Sequence, residues 1–207
     1  MSLNSAVNQN IQLEPMLLHW PPSMHLVDNQ FFDFCQANKE LRIERTAQGD
    51  CEIMAPTGGE TGWRNSRLTT LLSIWAEQEG GGVVFDSSSG FILSNGAIRS
   101  PDVSWVKRSR LACLTPEQKQ RFLPLCPDFV IELKSPSDDL KILKTKMHEY
   151  IQNGASLGWL IIPDQKQVYI FKQKQLEIIL DDPEILAADE LLKGFKLEIR
   201  KIWTADF

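Results

Sequence analysis

Apolar positions along the chain change repeatedly between the two-residue period of a strand and the 3.6-residue period of a helix. Two alternating stretches, LRIERT and DCEIMAP, predict a β-hairpin that turns around residues 48–50. Before this hairpin, Asp28 is placed to cap a short helix rich in phenylalanine. After it, helical spacing predicts a long helix that begins at Thr57 or Thr61 and ends at three glycines, residues 80–82. The apolar positions of this helix are Leu68, Leu71, Leu72 and Trp75.

The second half of the chain alternates short strands with two further helices. VVFDS, FILS and PDVSWV predict a strand meander, and Thr115-Pro116-Glu117-Gln118 is a capping-box pattern that begins a short helix. The segment PDFVIELKS predicts another strand, and Ser137 is placed to cap the helix that ends near residues 153–154. LGWLIIP and QVYIF then predict a hairpin, with LEIIL as a further strand.

This order of elements predicts an α/β (α+β) domain in which helices flank a mixed central β-sheet, with the β-hairpin on its N-terminal side. The chain has 207 residues, of which 43% are hydrophobic and 24% charged, enough to build one domain around one core. Residues 1–27 are polar and contain three prolines. We therefore predict an N-terminal arm over residues 1–27 and a single domain over residues 28–207.

Cysteine, histidine and apolar patterns narrow the class of protein. The four cysteines form no CxxC pair, and the three histidines lack the i, i+4 spacing of a helical zinc site, so we expect reduced cysteines and no histidine metal site. The apolar runs are far shorter than the roughly 20 residues of a membrane helix. The first ten residues contain no basic residue and no apolar stretch of signal-peptide length. We expect a cytoplasmic protein without membrane contact.

Charge is distributed unevenly along the chain. The formal net charge is −5, which argues against a protein that coats nucleic acid non-specifically. Residues 99–121 nevertheless contain six basic and two acidic side chains, and residues 176–192 contain six acidic and no basic ones. We interpret the first segment, together with Lys141 and Lys144, as a surface for a phosphate backbone, and the second as an acidic rear face that repels it. Two ordinary solvated faces would give the same pattern.

A charged pair in one predicted strand suggests a catalytic site. Side chains alternate along a strand, so Glu132 and Lys134 point to one side, roughly 7 Å apart at the backbone, while the apolar residues point to the other. A carboxylate at this position can hold a hard cation such as Mg²⁺, which activates water for phosphodiester cleavage. Lys134 could orient that water, stabilise charge on the phosphate or accept a proton.

Such a site needs a second carboxylate, and two aspartates compete for the role. Asp128 lies on the same strand and face as Glu132, but four residues place it roughly 13 Å away, too far to share one ion. Asp102 begins a separate strand and can lie beside Glu132 if the two strands pair. We therefore choose Asp102 and expect Asp128 to open its own strand after Pro127.

Three segments, SPDVSWV, PDFVIELKSPSDDL and KMHEYIQNGASLGWLIIPD, resemble the putative restriction endonuclease domain family of the PD-(D/E)XK nuclease superfamily. The resemblance covers roughly residues 28–171. It implies a restriction-endonuclease-like fold, with Asp102 and Glu132 as metal ligands and Lys134 as the catalytic lysine. It further implies Mg²⁺ as the cofactor, with Mn²⁺ as a substitute, and coordination completed by the main-chain carbonyl of Leu133. No organic cofactor is implied.

Other positions keep two interpretations. Many superfamily members carry a supporting acidic residue on the first long helix, which would be Glu60, but its spacing from Thr57 favours a capping box. Family patterns often place a histidine shortly after Gly62-Trp63, where this chain has Asn65. Lys146 and Tyr150 share a helix face, and they either contact phosphate and brace Glu132 or are a solvated lysine beside a core tyrosine.

The function predicted from these residues is a Mg²⁺-dependent endonuclease that hydrolyses DNA phosphodiester bonds. Because duplex cleavage needs two active sites or two sequential nicks, we expect a homodimer, by analogy with the family. The alternative is a catalytically inactive module that keeps the nuclease fold and binds nucleic acid or protein, since a fold does not imply an activity. A hydrolase of another phosphate ester is a third, less favoured reading.

Overall fold

The computed structural model describes residues 16–21, 24–188, 190–205 and 207. Most of the predicted N-terminal arm, residues 1–15 and 22–23, lies outside these described residues. The helices are α1 (Asp28–Ala37), α2 (Gly59–Glu79), α3 (Arg108–Leu111), α4 (Pro116–Lys119), α5 (Leu140–Gln152) and α6 (Arg200–Trp203). The strands are β1 (Met16–Leu18), β2 (Arg42–Arg45), β3 (Cys51–Met54), β4 (Gly82–Asp86), β5 (Phe91–Ile92), β6 (Ile98–Arg99), β7 (Val103–Lys107), β8 (Phe129–Leu133), β9 (Leu157–Ile162), β10 (Gln167–Lys172), β11 (Ile178–Asp181), β12 (Ile185–Ala187) and β13 (Lys196–Glu198).

A six-stranded mixed sheet forms the centre of the domain, in the order β11-β10-β9-β8-β7-β4. Strands β8 and β9 are parallel, because α5 carries the chain back between them, and the other neighbours are antiparallel. The predicted mixed sheet with flanking helices is confirmed. Of the helices in the described residues, none combines the length and the apolar character that a bilayer crossing requires.

The two faces of this sheet are covered by different helices. Phe129, Ile131 and Leu133 of β8 pack in one apolar cluster with α2 and the C-terminal segment. Val130 points the other way and packs in a second cluster with Met147 and Tyr150 of α5. The alternation predicted for this strand is therefore correct, and it places Glu132 on the α5 face.

The predicted β2–β3 hairpin belongs to a second sheet, in the order β1-β3-β2-β6-β5. Its turn includes Gly49 in a left-handed conformation, with φ of 94°, which glycine adopts without steric cost. Helix α1 packs Phe31 against Ile43 and Cys51 of the hairpin, forming a third apolar cluster. The outer strand β1 pairs Met16 with Ile53, so part of the predicted arm is a sheet edge.

Several predicted element boundaries are wrong by one to three residues. Helix α2 begins after Gly58 rather than at a Thr57 cap, and α5 is capped by Asp139, which accepts hydrogen bonds from the amides of Lys141 and Ile142, rather than by Ser137. Asp28 is the first residue of α1, not its cap. The capping box at Thr115 is confirmed, because its hydroxyl accepts from the Gln118 amide. The β12–β13 pair and α6 were not predicted.

Candidate active site: buried carboxylates around Lys146

Strand pairing brings two of the predicted site residues together. Strands β7 and β8 are antiparallel with Val103 opposite Ile131, and this register continues to place Asp102 beside Glu132. Asp102 is 7% exposed and Glu132 3% exposed, and both line one cavity of about 780 Å³. Leu133 and Glu60 line the same cavity. The predicted choice of Asp102 as the neighbour of Glu132 thus agrees with the geometry.

Asp102 is held by three groups from different elements. Its Oδ2 accepts a hydrogen bond from the amide of Leu133 at 2.9 Å, and its Oδ1 accepts one from Nδ2 of Asn65 at 3.3 Å. Nη1 of Arg42 lies 3.6 Å from the same Oδ1. Burial raises the pKa of Asp102, and Arg42 and the Leu133 amide only partly oppose that rise. Asn65, where the resemblance led us to expect a histidine, thus contacts the carboxylate directly.

Glu132 receives two contacts on a single oxygen. The hydroxyl of Tyr150 donates to Oε1 at 2.9 Å, and Nζ of Lys146 lies 3.0 Å from the same atom. Burial raises the pKa of Glu132 to about 7, with a further rise from the neighbouring carboxylates and an opposing effect of Lys146. A carboxyl group with this pKa exchanges its proton near neutral pH, which is a property typical of functional sites.

Lys146 is the cation at the centre of the site. Its Nζ lies 3.0 Å from Oε1 of Glu132 and 3.0 Å from Oε1 of Glu44. Burial alone would lower the pKa of Lys146, but the two glutamates outweigh it and raise this pKa, so the ammonium stays charged. Lys146 and Tyr150 stand four residues apart on α5 and therefore reach the same carboxylate. Of the two interpretations, the structure favours bracing of Glu132.

Glu44 is a site residue that sequence reasoning missed. It is 1% exposed, accepts from the Ser100 amide at 2.9 Å, and pairs with Arg99 at 3.2 Å as well as with Lys146. Although burial would raise it, the pKa of Glu44 is lowered by Lys146, Arg99 and Arg42. The available signal was the Arg42-Ile43-Glu44 alternation of β2, whose charged face is covered rather than exposed to solvent.

Among the described residues, Lys134 forms no ion pair with Asp102 or Glu132. Lys134 follows the last residue of β8, and its Nζ donates to the main-chain oxygen of Ser135 at 3.0 Å and lies 3.9 Å from Asp164. It lines a separate cavity of about 770 Å³ together with residues of the N-terminal part of α5. The predicted catalytic role of Lys134 therefore stays a prediction, and its ammonium contacts Ser135 and Asp164 instead of the carboxylates.

Glu60 does not have the capping role that its spacing suggested. Helix α2 starts at Gly59, and the Glu60 carboxylate pairs with Arg64 at 3.0 Å, one helical turn along. Glu60 remains largely exposed, and it borders the cavity that Asp102 and Glu132 share. The capping-box interpretation is wrong, since Thr57 lies outside the helix terminus.

The basic segment does not lie as one exposed surface beside the carboxylates. Arg99 is 8% exposed and contacts Glu44, Glu52 and Glu149, so it is no part of a phosphate-binding surface. Lys107 lies at the other end of β7 from Asp102, roughly 17 Å away at about 3.3 Å per residue.

The acidic segment is largely paired with neighbouring cations. Glu177 contacts Lys144 at 2.5 Å, Glu184 contacts Arg200 at 3.0 Å, and Glu190 contacts Lys172 at 2.9 Å. Asp189 lies outside the described residues. Lys144 belonged to the predicted phosphate surface, and its contact with Glu177 does not fit a basic front separated from an acidic rear.

The donor atoms of the cavity suit a hard divalent cation. No group of three or more His, Cys, Asp or Glu side chains in the described part of the chain is arranged to hold a metal ion. Mg²⁺ needs only one or two carboxylates, because water and substrate oxygens fill its other positions. Asp102 and Glu132 provide two, and Oδ1 of Asn65 beside them is buried without a hydrogen-bond partner. A bound cation would favour the ionised form of both carboxylates, which burial disfavours.

Comparison with known proteins identifies the family of this chain. The sequence profile of Uma2, described as "Putative restriction endonuclease", matches residues 28–200. No curated protein matches the chain. A crystal structure described as a putative nuclease belonging to DUF820 from Anabaena variabilis ATCC 29413 has the same fold, with a TM-score of 0.68 and 18% identity over 79% of this chain and 90% of that one. The chain belongs to the Uma2 family of putative restriction endonucleases.

Proposed function

We propose that this protein is a metal-dependent endonuclease that hydrolyses DNA phosphodiester bonds at the cavity lined by Asp102 and Glu132. The observation that carries the proposal is the pair of buried carboxylates from adjacent strands, both with a raised pKa, beside a charged lysine. Family membership supports a nuclease activity, and metal dependence and DNA as substrate are our own extension.

Asp102, Glu132 and the main-chain oxygen of Leu133 would hold the cation, with Mg²⁺ as the natural ion and Mn²⁺ as a substitute. When bound, the ion lowers the pKa of a coordinated water and offsets negative charge on the phosphate. Asn65 and the Leu133 amide keep the Asp102 carboxylate oriented. Tyr150 does the same for Glu132. In hydrolysis, the water oxygen bonds to phosphorus, the bond to the leaving sugar oxygen breaks, and that oxygen takes up a proton.

We assign the role of the site lysine to Lys146 rather than to the predicted Lys134. Lys146 holds its ammonium against Glu132, where it can stabilise charge on a phosphate oxygen or orient the attacking water. Lys134 contacts Ser135 and faces another cavity. Because Lys146 stays charged, it acts here through its charge and its hydrogen bonds and not as a base.

Nicking of supercoiled plasmid with Mg²⁺, Mn²⁺ or EDTA tests this proposal. The variants are Asp102→Asn, Lys146→Met and Lys134→Met, where the two lysine variants are matched controls for each other. We expect metal-dependent nicking that is lost in the first two variants and kept in Lys134→Met. Thermal unfolding establishes whether each variant is folded. If Lys146→Met is not folded, Lys146→Arg takes its place, because arginine keeps the buried charge.

Loss of nicking in Lys134→Met alone would return the catalytic role to Lys134. No nicking with any metal, or nicking that survives Asp102→Asn, would overturn the proposal. Sedimentation velocity checks the expected homodimer, which would be wrong if the protein sediments as a monomer at assay concentration.

The inactive binding module remains the second candidate, and one observation favours it. Lys146 and Tyr150 already satisfy Oε1 of Glu132, so the site is a closed network of ion pairs in its own right. A calorimetric titration that shows no Mn²⁺ binding, together with DNA binding that is unchanged in EDTA, would support this module. Metal binding that is lost in Asp102→Asn would exclude it.

A further inference from the structure

Lys146 shares its ammonium between two carboxylates that come from different sheets. Oε1 of Glu132, on β8 of the central sheet, lies 3.0 Å from Nζ, and so does Oε1 of Glu44, on β2 of the second sheet. The contact with Glu44 is a hydrogen bond that the lysine donates. The side chains of Lys146, Glu132 and Glu44 are 12%, 4% and 1% exposed. The ammonium therefore depends on these two carboxylates, rather than on bulk water, for its counter-charge.

Glu44 is held in place from several directions. Its Oε1 accepts from the Ser100 amide at 2.9 Å as well as from Lys146, and its Oε2 pairs with Arg99 at 3.2 Å. Arg99 is itself paired with two further carboxylates. The backbone of Glu44 lies within β2, between strands β3 and β6. Glu44 is thus a charged acceptor that is held by contacts in which Glu132 takes no part.

Glu132 is the carboxylate on which two positive charges would meet. Its Oε1 already contacts Lys146 and accepts from the hydroxyl of Tyr150 at 2.9 Å. A divalent cation on this carboxylate and the ammonium of Lys146 repel each other, because both are positive and both are removed from water. Among the described ion pairs, Glu44 is the one other carboxylate that Lys146 contacts. Glu44 can therefore keep the ammonium paired when Glu132 is engaged elsewhere.

We infer that Glu44 is a positioning residue for Lys146: it holds the ammonium when Glu132 takes up a divalent cation, and it thereby sets the affinity of the site for the metal. This inference rests on the proposed metal-dependent nuclease function. With Glu44 as its counter-ion, Lys146 can give up its contact with Glu132 and remain charged in the buried site. The N–H groups that this releases are then available to a phosphate oxygen, which fits the proposed role of the lysine.

Calorimetric titration of the full-length protein with Mn²⁺, in the absence of DNA, tests the inference. Glu44→Gln removes the charge but keeps the size of the side chain and an oxygen that can accept from Ser100 and Lys146. The ammonium then keeps Glu132 as its counter-ion and competes with the metal, so we expect the Kd for Mn²⁺ to rise by about tenfold or more.

Glu149→Gln is the matched control for this titration. Glu149 pairs with Arg99 at 2.7 Å in the same network, and its carboxylate forms no ion pair with Lys146 among the described residues. The variant therefore removes one carboxylate from the network and leaves both counter-ions of the lysine in place. We expect its Kd for Mn²⁺ to stay within about twofold of the wild-type value.

A double-mutant cycle separates positioning through Lys146 from a direct attraction between Glu44 and the metal. Lys146→Gln lacks the ammonium but keeps a hydrogen-bond donor. In this background, Glu44→Gln should raise the Kd for Mn²⁺ by less than about threefold. A rise as large as in the presence of Lys146 would mean that Glu44 attracts the metal directly, and it would overturn the inference.

Thermal unfolding establishes whether each variant of the cycle is folded. If Glu44→Gln is not folded, Glu44→Asp takes its place, because aspartate keeps the charge but withdraws it from Lys146 by one methylene group. Glu44→Asp should also raise the Kd for Mn²⁺, by a smaller factor, and this rise should again depend on Lys146. An unchanged Kd in this variant would contradict the inference.

The outcomes separate the inference from the proposed function. Mn²⁺ binding that is equally tight in wild type and in Glu44→Gln overturns the inference and leaves the metal site and the nuclease intact. A wild-type protein that binds no Mn²⁺ and nicks no plasmid overturns the proposed function, and the inference with it.

Discussion

Replacing Glu132 by glutamine should change the pH dependence of stability in a defined direction. The Glu132 carboxylate is 3% exposed, and burial raises its pKa from 4.5 to about 7. The folded protein therefore holds this proton more tightly than the unfolded chain does. The resulting stabilisation is fully present below about pH 4.5 and is lost as the pH rises through about 7.

The size of this effect follows from the two pKa values. The difference between 4.5 and about 7 corresponds to about 3 kcal/mol, of which about 2–3 kcal/mol is lost between pH 5 and pH 8. Glutamine is neutral at both pH values and keeps an oxygen that can accept from Tyr150 and Lys146. Relative to wild type, Glu132→Gln should gain about 2–3 kcal/mol in its free energy of unfolding from pH 5 to pH 8.

Urea unfolding in EDTA at pH 5 and pH 8 measures this difference. The other titrating groups contribute to both proteins, so their effect cancels when the variant is compared with the wild type. Glu184→Gln is the control, because Glu184 forms an exposed pair with Arg200 and should change stability by less than about 1 kcal/mol at either pH. The reasoning would be refuted if the free energy of unfolding differed between Glu132→Gln and wild type by the same amount at pH 5 and at pH 8. That result would mean that the Glu132 carboxylate is not ionising in a buried environment.

Three further substitutions should lower the free energy of unfolding in urea titrations. Lys146→Met leaves two buried glutamates without their shared cation and should lower the free energy of unfolding by about 3–5 kcal/mol. Lys134→Met should lower it far less. Equal losses of stability in the two variants would contradict the central position of Lys146. Tyr150→Phe removes a hydrogen bond to a carboxylate and should cost about 1.5–3 kcal/mol at pH 8 and less at pH 5. Gly90→Ala places a methyl group against the Phe122 ring and should cost about 1–3 kcal/mol; a stability equal to wild type would show that the ring moves freely.

Periodicity was sufficient to predict most of the fold. The alternation in PDFVIELKS identified the strand β8, and the helical spacing from Leu68 to Trp75 identified α2. The C-terminal β12, β13 and α6 are three or four residues long, which is too short for a period to show. They become ordered through packing against α2 and the sheet, which a local pattern does not reveal.

The site was only partly predictable, because strand alternation gives the face of a side chain and not the direction in which a long one bends. Asp102 and Glu132 are short and fixed by backbone register, so pairing of β7 with β8 was enough to place them. Lys134 lies just beyond β8, where the chain turns, and its four-carbon stem carries the ammonium to Ser135. Lys146 reaches the site from a different element.

Glu44 shows a second limit of sequence reasoning. In a hairpin, alternating charged residues are normally solvated, and this pattern predicts exposure. Here Glu44 is buried, and its charge is compensated by Arg99 and Lys146 from distant segments. Such a network depends on tertiary contacts between residues 55 and 102 positions apart in the sequence.

The central claim is that Asp102 and Glu132 form a metal-dependent nuclease site. The most direct test measures the initial rate of plasmid nicking against Mg²⁺ concentration for the wild type and for Asp102→Asn. We predict a rate that rises to saturation with Mg²⁺ in the wild type and returns to background in EDTA, and no metal-dependent rate in the variant. A wild-type rate that is independent of Mg²⁺, or equal rates in the two proteins, would contradict the account.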